Sequence, residues 1–140
     1  METLKASVRV DVRFNEVDSM GIVWHGNYVR YFEDARVAFG KKYGIGYLDI
    51  FANGYYAPIV NMDVKFVNPL VYGDTIVAEA AYVPCESAKM LFRYRITRES
   101  DGLLVAEGST SQVFLGPDRK LSLYPPEFYV EWKKKNKVDR

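Results

Sequence analysis

The chain has 140 residues, 49% of them hydrophobic and 15% aromatic, with a formal charge of +1; this fits one globular domain over residues 1–140 and offers no whole-molecule attraction for nucleic acid. No apolar run approaches the roughly 18 residues of a membrane span, and the opening METLKASVRV lacks the apolar core of a signal peptide, so a cytoplasmic protein without a membrane partner is expected. One cysteine, Cys85, and one histidine, His25, can build neither an internal disulfide nor a zinc site of the usual ligand count. No cofactor is expected, and an all-carboxylate metal site stays open as the alternative.

From Ser7 to Phe14 the chain alternates strictly, with Val8, Val10, Val12 and Phe14 on one face and Arg9, Asp11 and Arg13 on the other, which predicts a half-buried strand. Residues 27–43 change period. Tyr28, Phe32, Ala35, Phe39 and Tyr43 recur at spacings of three and four, predicting one long helix with Asn27 as N-cap and Gly44 as its stop. Lys41 and Lys42 suit the negative end of that helix. Gly40 inside it is disfavoured by about 1 kcal/mol against alanine, a hint that another backbone or side chain passes close. Gly44 to Tyr56, rich in glycine and aromatics, is expected to be a connecting loop.

Period two then returns at Val60, Met62, Val64 and Phe66, followed by turn chemistry in NPLVYGD and three more strands at about Thr75–Val83, Lys89–Arg98 and Leu104–Leu115. Ser100-Asp101-Gly102 and Gly116-Pro117-Asp118 are turn sequences. The tail, about 126–135, is expected to form a short helix with solvated lysines. Five strands with hairpin-length connections favour an antiparallel sheet, and its apolar face must cover the aromatic stripe of the helix. A curled sheet around one central helix, an α+β fold, is the economical arrangement. Its unprotected edges and many aromatics point to a covering second subunit.

The segment VDSMGIVWHGNYVRYFEDAR sets Asp18 in a glycine-containing loop and His25 at the mouth of the helix. Unpaired backbone N–H groups there carry partial positive charge and suit an oxyanion formed in acyl transfer. Asp18 is a candidate nucleophile or base toward water, and His25 can donate to a carbonyl, orient water or protonate a leaving group. The plainer alternatives are an Asx-turn for Asp18 and packing or surface placement for His25, with Trp24, Tyr28 and Tyr31 as core residues. Cys85 has no second histidine to activate it, and neither a G-x-S-x-G elbow nor a nucleotide-binding glycine loop is present.

The run Asp18-x-x-Gly21-Ile22-Val23-Trp24-His25-x-Asn27-Tyr28, after a strand ending in Arg13-Phe14, resembles the signature of the 4-hydroxybenzoyl-CoA thioesterase-like branch of the hotdog-fold acyl-CoA thioesterases. The order of elements agrees from about Lys5 to Leu115. The resemblance implies a curled antiparallel sheet of about five strands around the helix, in homodimers that often pair into homotetramers, with active sites at the subunit interface. It makes Asp18 the catalytic carboxylate, and it sets the His25 N–H where the thioester carbonyl is polarised. The His25 imidazole matches the branch acting on aliphatic groups, which tilts the expectation to short or medium acyl-CoA over the aromatic substrate. Gly21, Val23, Trp24, Asn27 and Tyr28 would hold the loop and line the pocket. Pro58, Ile59 and Val60 would face the acyl group from the partner subunit, and Ser87 and Lys89 would approach the CoA phosphates.

The mechanism so implied is attack by Asp18, directly or through water, on a carbonyl held by the His25 N–H, with CoA thiolate leaving. Two alternatives of other kinds are another reaction on a CoA or carrier-protein thioester, such as hydration, and a non-catalytic acyl-CoA binding module.

Overall fold

The computed structural model describes residues 3–139. Five strands, β1 (Lys5–Asp11), β2 (Ile59–Phe66), β3 (Thr75–Val83), β4 (Lys89–Arg98) and β5 (Leu104–Val113), form one antiparallel sheet in the order β1-β3-β4-β5-β2. The long helix α1 (Tyr28–Tyr43) lies on its concave face, a short helix α2 (Tyr47–Ala52) follows, and α3 (Glu127–Lys135) closes the chain.

Alternation explains the sheet. On β4, Met90, Phe92, Tyr94 and Ile96 are buried while Arg93 and Arg95 are exposed, as period two requires of a strand covered on one side. The helix answers with Phe32 stacked on Tyr94, centroids 4.6 Å apart, and Phe39 edge-on to Phe92 at 5.0 Å. Each such phenyl ring contributes on the order of 2 kcal/mol through removal from water. At the far end α3 brings Tyr129 and Trp132 against Tyr82 and Phe114, and Trp132 Nε1 donates to Tyr43 O at 2.8 Å. The Tyr129 hydroxyl donates to Lys89 O at 3.0 Å, so the Tyr82 hydroxyl donates to Tyr129; burial pushes Tyr82 up to about 12.

Helix α1 ends at Gly44, whose φ of +69° lies in the left-handed region that favours glycine. Gly40 shows the close approach its position suggests: an added Cβ would stand 2.6 Å from Gly46 Cα. Gly40→Ala is therefore expected to lower the melting temperature, because parting two backbones outweighs the roughly 1 kcal/mol of helix propensity that alanine adds; a rise in thermal denaturation would contradict this packing.

Four local expectations change. β1 stops at Asp11, and Phe14 is 75% exposed in a 3-10 turn over Phe14–Glu16 rather than on the buried face. Glu16 causes the turn, since its carboxylate accepts the Arg13 N–H at 2.7 Å. Asn27 holds the N-cap position of α1, but with helical backbone and no side-chain cap, because a 3-10 turn over His25–Asn27 precedes the helix. The segment 44–56 contains α2, and the N–H of Gly46, the residue before it, is taken by Asp49 at 2.8 Å. The last strand ends at Val113, and Leu115 continues only as isolated bridges to Tyr56 and Leu121.

Candidate functional site

Residues 17–23 close a small hairpin. Val17 and Val23 bridge antiparallel, the Asp18 N–H donates to Ile22 O at 2.8 Å, and the Gly21 N–H donates to Asp18 O at 2.9 Å. Gly21 turns the chain at φ +78°. Asp18 Oδ1 accepts the Met20 N–H at 2.8 Å, an Asx-turn. Its other oxygen has no hydrogen-bond partner among the described residues, so the turn occupies only one side of the carboxylate.

Glu16 fastens this loop to the helix. Its carboxylate accepts from Arg13 N and, at 3.1 Å, from the Tyr31 hydroxyl; its carbonyl accepts the Trp24 N–H and Asn27 Nδ2, each at 2.9 Å. Burial, then the Glu16 charge, push Tyr31 well above the usual phenol range, so it stays a donor. Tyr31→Phe would leave one bond fewer on a buried carboxylate. The expected result is a destabilisation of about 1 to 2 kcal/mol together with a lower kcat; unchanged stability in denaturant titration would remove Glu16 from this role.

Beyond the hairpin the Val23 N–H donates to Leu70 O at 2.8 Å and the Val23 side chain joins the core. Trp24 is 52% exposed, its ring so close over Gly26 that a Cβ there would fall 2.2 Å from it. The exposed His25 ring lies between Trp24 at 5.0 Å and Phe66 at 6.2 Å, and buried Tyr28 meets the same Phe66 at 5.1 Å. The N–H groups of His25 and Gly26 find no acceptor among the described residues. Two donors without a protein acceptor thus lie at the positive end of α1, two residues beyond the Asp18 hairpin.

The other candidate residues collect at the opposite end of β2. Pro58 O accepts the Val113 N–H at 3.2 Å, Val113 pairs with Lys89, and the Lys89 N–H donates to Ser87 O at 2.8 Å. Residues 58–60 and 87–89 therefore stand at the same end of the sheet, on either side of β5. They are separated from His25, which stands by Phe66, by the length of β2, seven residue steps or about 23 Å. Near Pro58 and Ile59 a cavity of about 650 Å³ opens between α1, α2 and the inner sheet face, with Phe39, Ile45, Met90 and Phe92 in its wall and neither Asp18 nor His25. β2 is an edge strand, and the two ends of its apolar parity are uncovered, Val60 being 58% and Phe66 51% exposed, while Met62 and Val64 between them are half-buried.

Three residues in contact with these positions escape sequence reasoning. Glu16 has only its three-residue spacing from Arg13 as a signal, Phe66 reads as an ordinary strand apolar, and Gln112 is a polar residue at an inward position of β5, a signal that alternation does contain. Among the described residues no three His, Cys, Asp or Glu side chains gather for a metal ion, and no helix is long and apolar enough to cross a membrane.

Residues 12–132 match the model of the thioesterase-like superfamily. The chain is 32% identical over 101 residues to YneP of Bacillus subtilis, a candidate acyl-CoA thioesterase by its name, covering 72% of this chain and 73% of that protein. It is 29% identical over 127 residues to a 1,4-dihydroxy-2-naphthoyl-CoA hydrolase of Prochlorococcus marinus, covering 86% and 83%. The crystal structure of a 4-hydroxybenzoyl-CoA thioesterase superposes with a TM-score of 0.79 at 23% identity, over 92% of this chain and 98% of that one, which establishes the shared hotdog fold.

Proposed function

The chain belongs to the thioesterase-like superfamily, and from that premise we propose that it hydrolyses acyl-CoA to free acid and CoA, with a short, medium-length or aromatic acyl group. The observation that carries this reading is the pair of unpaired N–H groups at His25 and Gly26 beside a hairpin that leaves one Asp18 carboxylate oxygen free.

The thioester carbonyl binds against the His25 N–H, where developing negative charge meets a fixed donor and the helix dipole. Asp18 attacks the carbonyl carbon, or takes a proton from a water that does. The tetrahedral intermediate then expels CoA thiolate, a good leaving group that demands no strong acid. If Asp18 attacks directly, water hydrolyses the mixed anhydride in a second step; a single turnover in oxygen-labelled water separates the two routes by label in Asp18.

One chain holds the two halves of this site about 23 Å apart. Two copies joined antiparallel along their β2 edges would set residues 58–60 and 87–89 of one copy against the helix mouth of the other, and cover Val60 and Phe66. The working unit in this reading is a homodimer, or a tetramer of two such dimers, acting in the cytoplasm.

A hydrolysis screen over acyl-CoAs of increasing length and aromatic character, with Asp18→Asn alongside, tests it. Turnover of at least one class, abolished in the variant, is expected. Binding of CoA esters without turnover would instead favour an acyl-CoA binding module.

A further inference from the structure

We propose that Arg36 reads the far end of the acyl group, and that the cavity beneath the sheet takes an aliphatic chain ending in a carboxylate, the acyl part of an ω-carboxyacyl-CoA. This rests on the reading of that cavity as the acyl pocket, and it names the substrate class the pocket favours.

Arg36 is the half-buried charge of the cavity wall, whereas Glu33, Lys41 and Asp49 are exposed at its rim. It reaches from α1 to the inner face of the sheet, where Nη1 donates to the Tyr94 hydroxyl at 3.3 Å. That hydroxyl is itself paired with Thr110 at 2.7 Å, and both residues are buried. The guanidinium is thus held at one edge against a fixed polar pair. Its other N–H groups find no acceptor among the described residues, and no described carboxylate forms an ion pair with it. Each carboxylate of the rim has another setting: Asp49 accepts the Gly46 N–H at 2.8 Å, and Glu33 also borders the small cavity that holds Arg13 and Arg30. Gln112, the buried polar residue of the wall, gives Nε2 to Ala57 O at 2.6 Å and keeps Oε1 enclosed without a partner.

The rest of the wall sets what this cation can meet. Phe39, Ile45, Ile50, Met90 and Phe92 are apolar and buried, so a charge beside them is weakly screened and attracts an anion more strongly than on the open surface. A guanidinium offers parallel donors that match both oxygens of a carboxylate. A neutral acyl end would leave the cation facing hydrocarbon, which is unfavourable. A carboxylate opposite Arg36 exchanges its hydration for charge-assisted hydrogen bonds.

The position of Arg36 fits this role. Ile59, Gln112 and Met90 form one row across β2, β5 and β4, at the end of β2 that the proposed dimer sets against the thioester. Thr110, which holds the Tyr94 hydroxyl, stands two residues further along β5, about 7 Å from that row. The carboxylate therefore binds away from the thioester, at the opposite end of a short or medium chain. The volume of about 650 Å³ lies within the range of small-molecule pockets.

The test uses stable thioether analogues of CoA bearing ω-carboxyalkyl groups from carboxypropyl to carboxyheptyl, each paired with the counterpart that carries methyl in place of carboxylate. Their dissociation constants are measured at one ionic strength for the full-length wild type and for Arg36→Gln, Arg36→Lys and Lys41→Gln. In the wild type at least one carboxylate ligand is expected to bind about tenfold tighter than its methyl partner. Arg36→Gln loses that preference, Arg36→Lys keeps part of it because the charge stays while the fork goes, and Lys41→Gln at the rim retains it. Equal affinities for every pair in the wild type overturn the inference, and need no variant to fold. A preference that survives in Arg36→Gln, is undiminished in Arg36→Lys, or is abolished in Lys41→Gln overturns it as well. Hydrolysis of the matching thioesters is followed in parallel. Turnover without carboxylate preference leaves the thioesterase reading standing and removes Arg36 from it; carboxylate-dependent binding without turnover does the reverse.

Discussion

Asp18→Asn is expected to lower kcat for acyl-CoA hydrolysis about a thousandfold, with KM changed far less. Asparagine keeps the oxygen that accepts the Met20 N–H, so the Asx-turn and the hairpin survive and the melting temperature should hold. What goes is the negative charge that attacks the carbonyl or deprotonates water. His25→Ala should be milder, about tenfold to a hundredfold, because any residue other than proline retains the backbone N–H that polarises the carbonyl. Steady-state kinetics on both variants decide the ranking. A His25 loss equal to that of Asp18 would shift the essential chemistry to the imidazole, and full activity in Asp18→Asn would end the proposed mechanism.

The second large effect is on stability. Gly108 pairs with Tyr94 across β4 and β5, and the Phe32 ring stacked on Tyr94 extends over the place where a side chain at 108 would stand. An added Cβ would lie 2.2 Å from Asp63 O and 2.8 Å from Phe32 Cε2. Neither neighbour can retreat cheaply: the carbonyl belongs to the backbone of β2, and Phe32 is fully buried between α1 and the sheet. Gly108→Ala is expected to destabilise by about 3 kcal/mol, the upper end for an overpacked core, which lowers the melting temperature by roughly 10 °C at this chain length. Since the displaced strand is also the one proposed to join two copies, sedimentation should report weaker association. A melting temperature within 2 °C of wild type, taken roughly as half a kcal/mol, would contradict the packing of Phe32 over β5.

The two predictions begin from residues that differ in how far the sequence makes them legible. Asp18 stands out because a carboxylate in a glycine-containing loop before a helix is a local pattern. Gly108 does not stand out at all, since the reason for it is Phe32, 76 positions away in sequence yet directly above it. Gly40 lies between these cases: a glycine within a helix announces a close approach, while its partner Gly46 is known only once the chain has turned. Phe14 shows the opposite failure. Its parity continues that of Val8, Val10 and Val12, yet Glu16 captures the Arg13 N–H and the strand ends three residues early.

By itself the sequence determined the strands, the long helix, its stop at Gly44, the inward faces of β4 and α1, and the Asp18 to Tyr28 run, because alternation, helical period and turn chemistry act between residues a few positions apart. The tertiary structure decided which strand lies at the edge, that Glu16 ties the hairpin to Tyr31 and Asn27, that Gln112 keeps an acceptor unpaired in the cavity wall, and that residues 58–60 stand a strand's length from the helix mouth. Those are relations between distant segments. They are set by which packing buries the most apolar surface while leaving the fewest polar groups unpaired, and no local pattern encodes them.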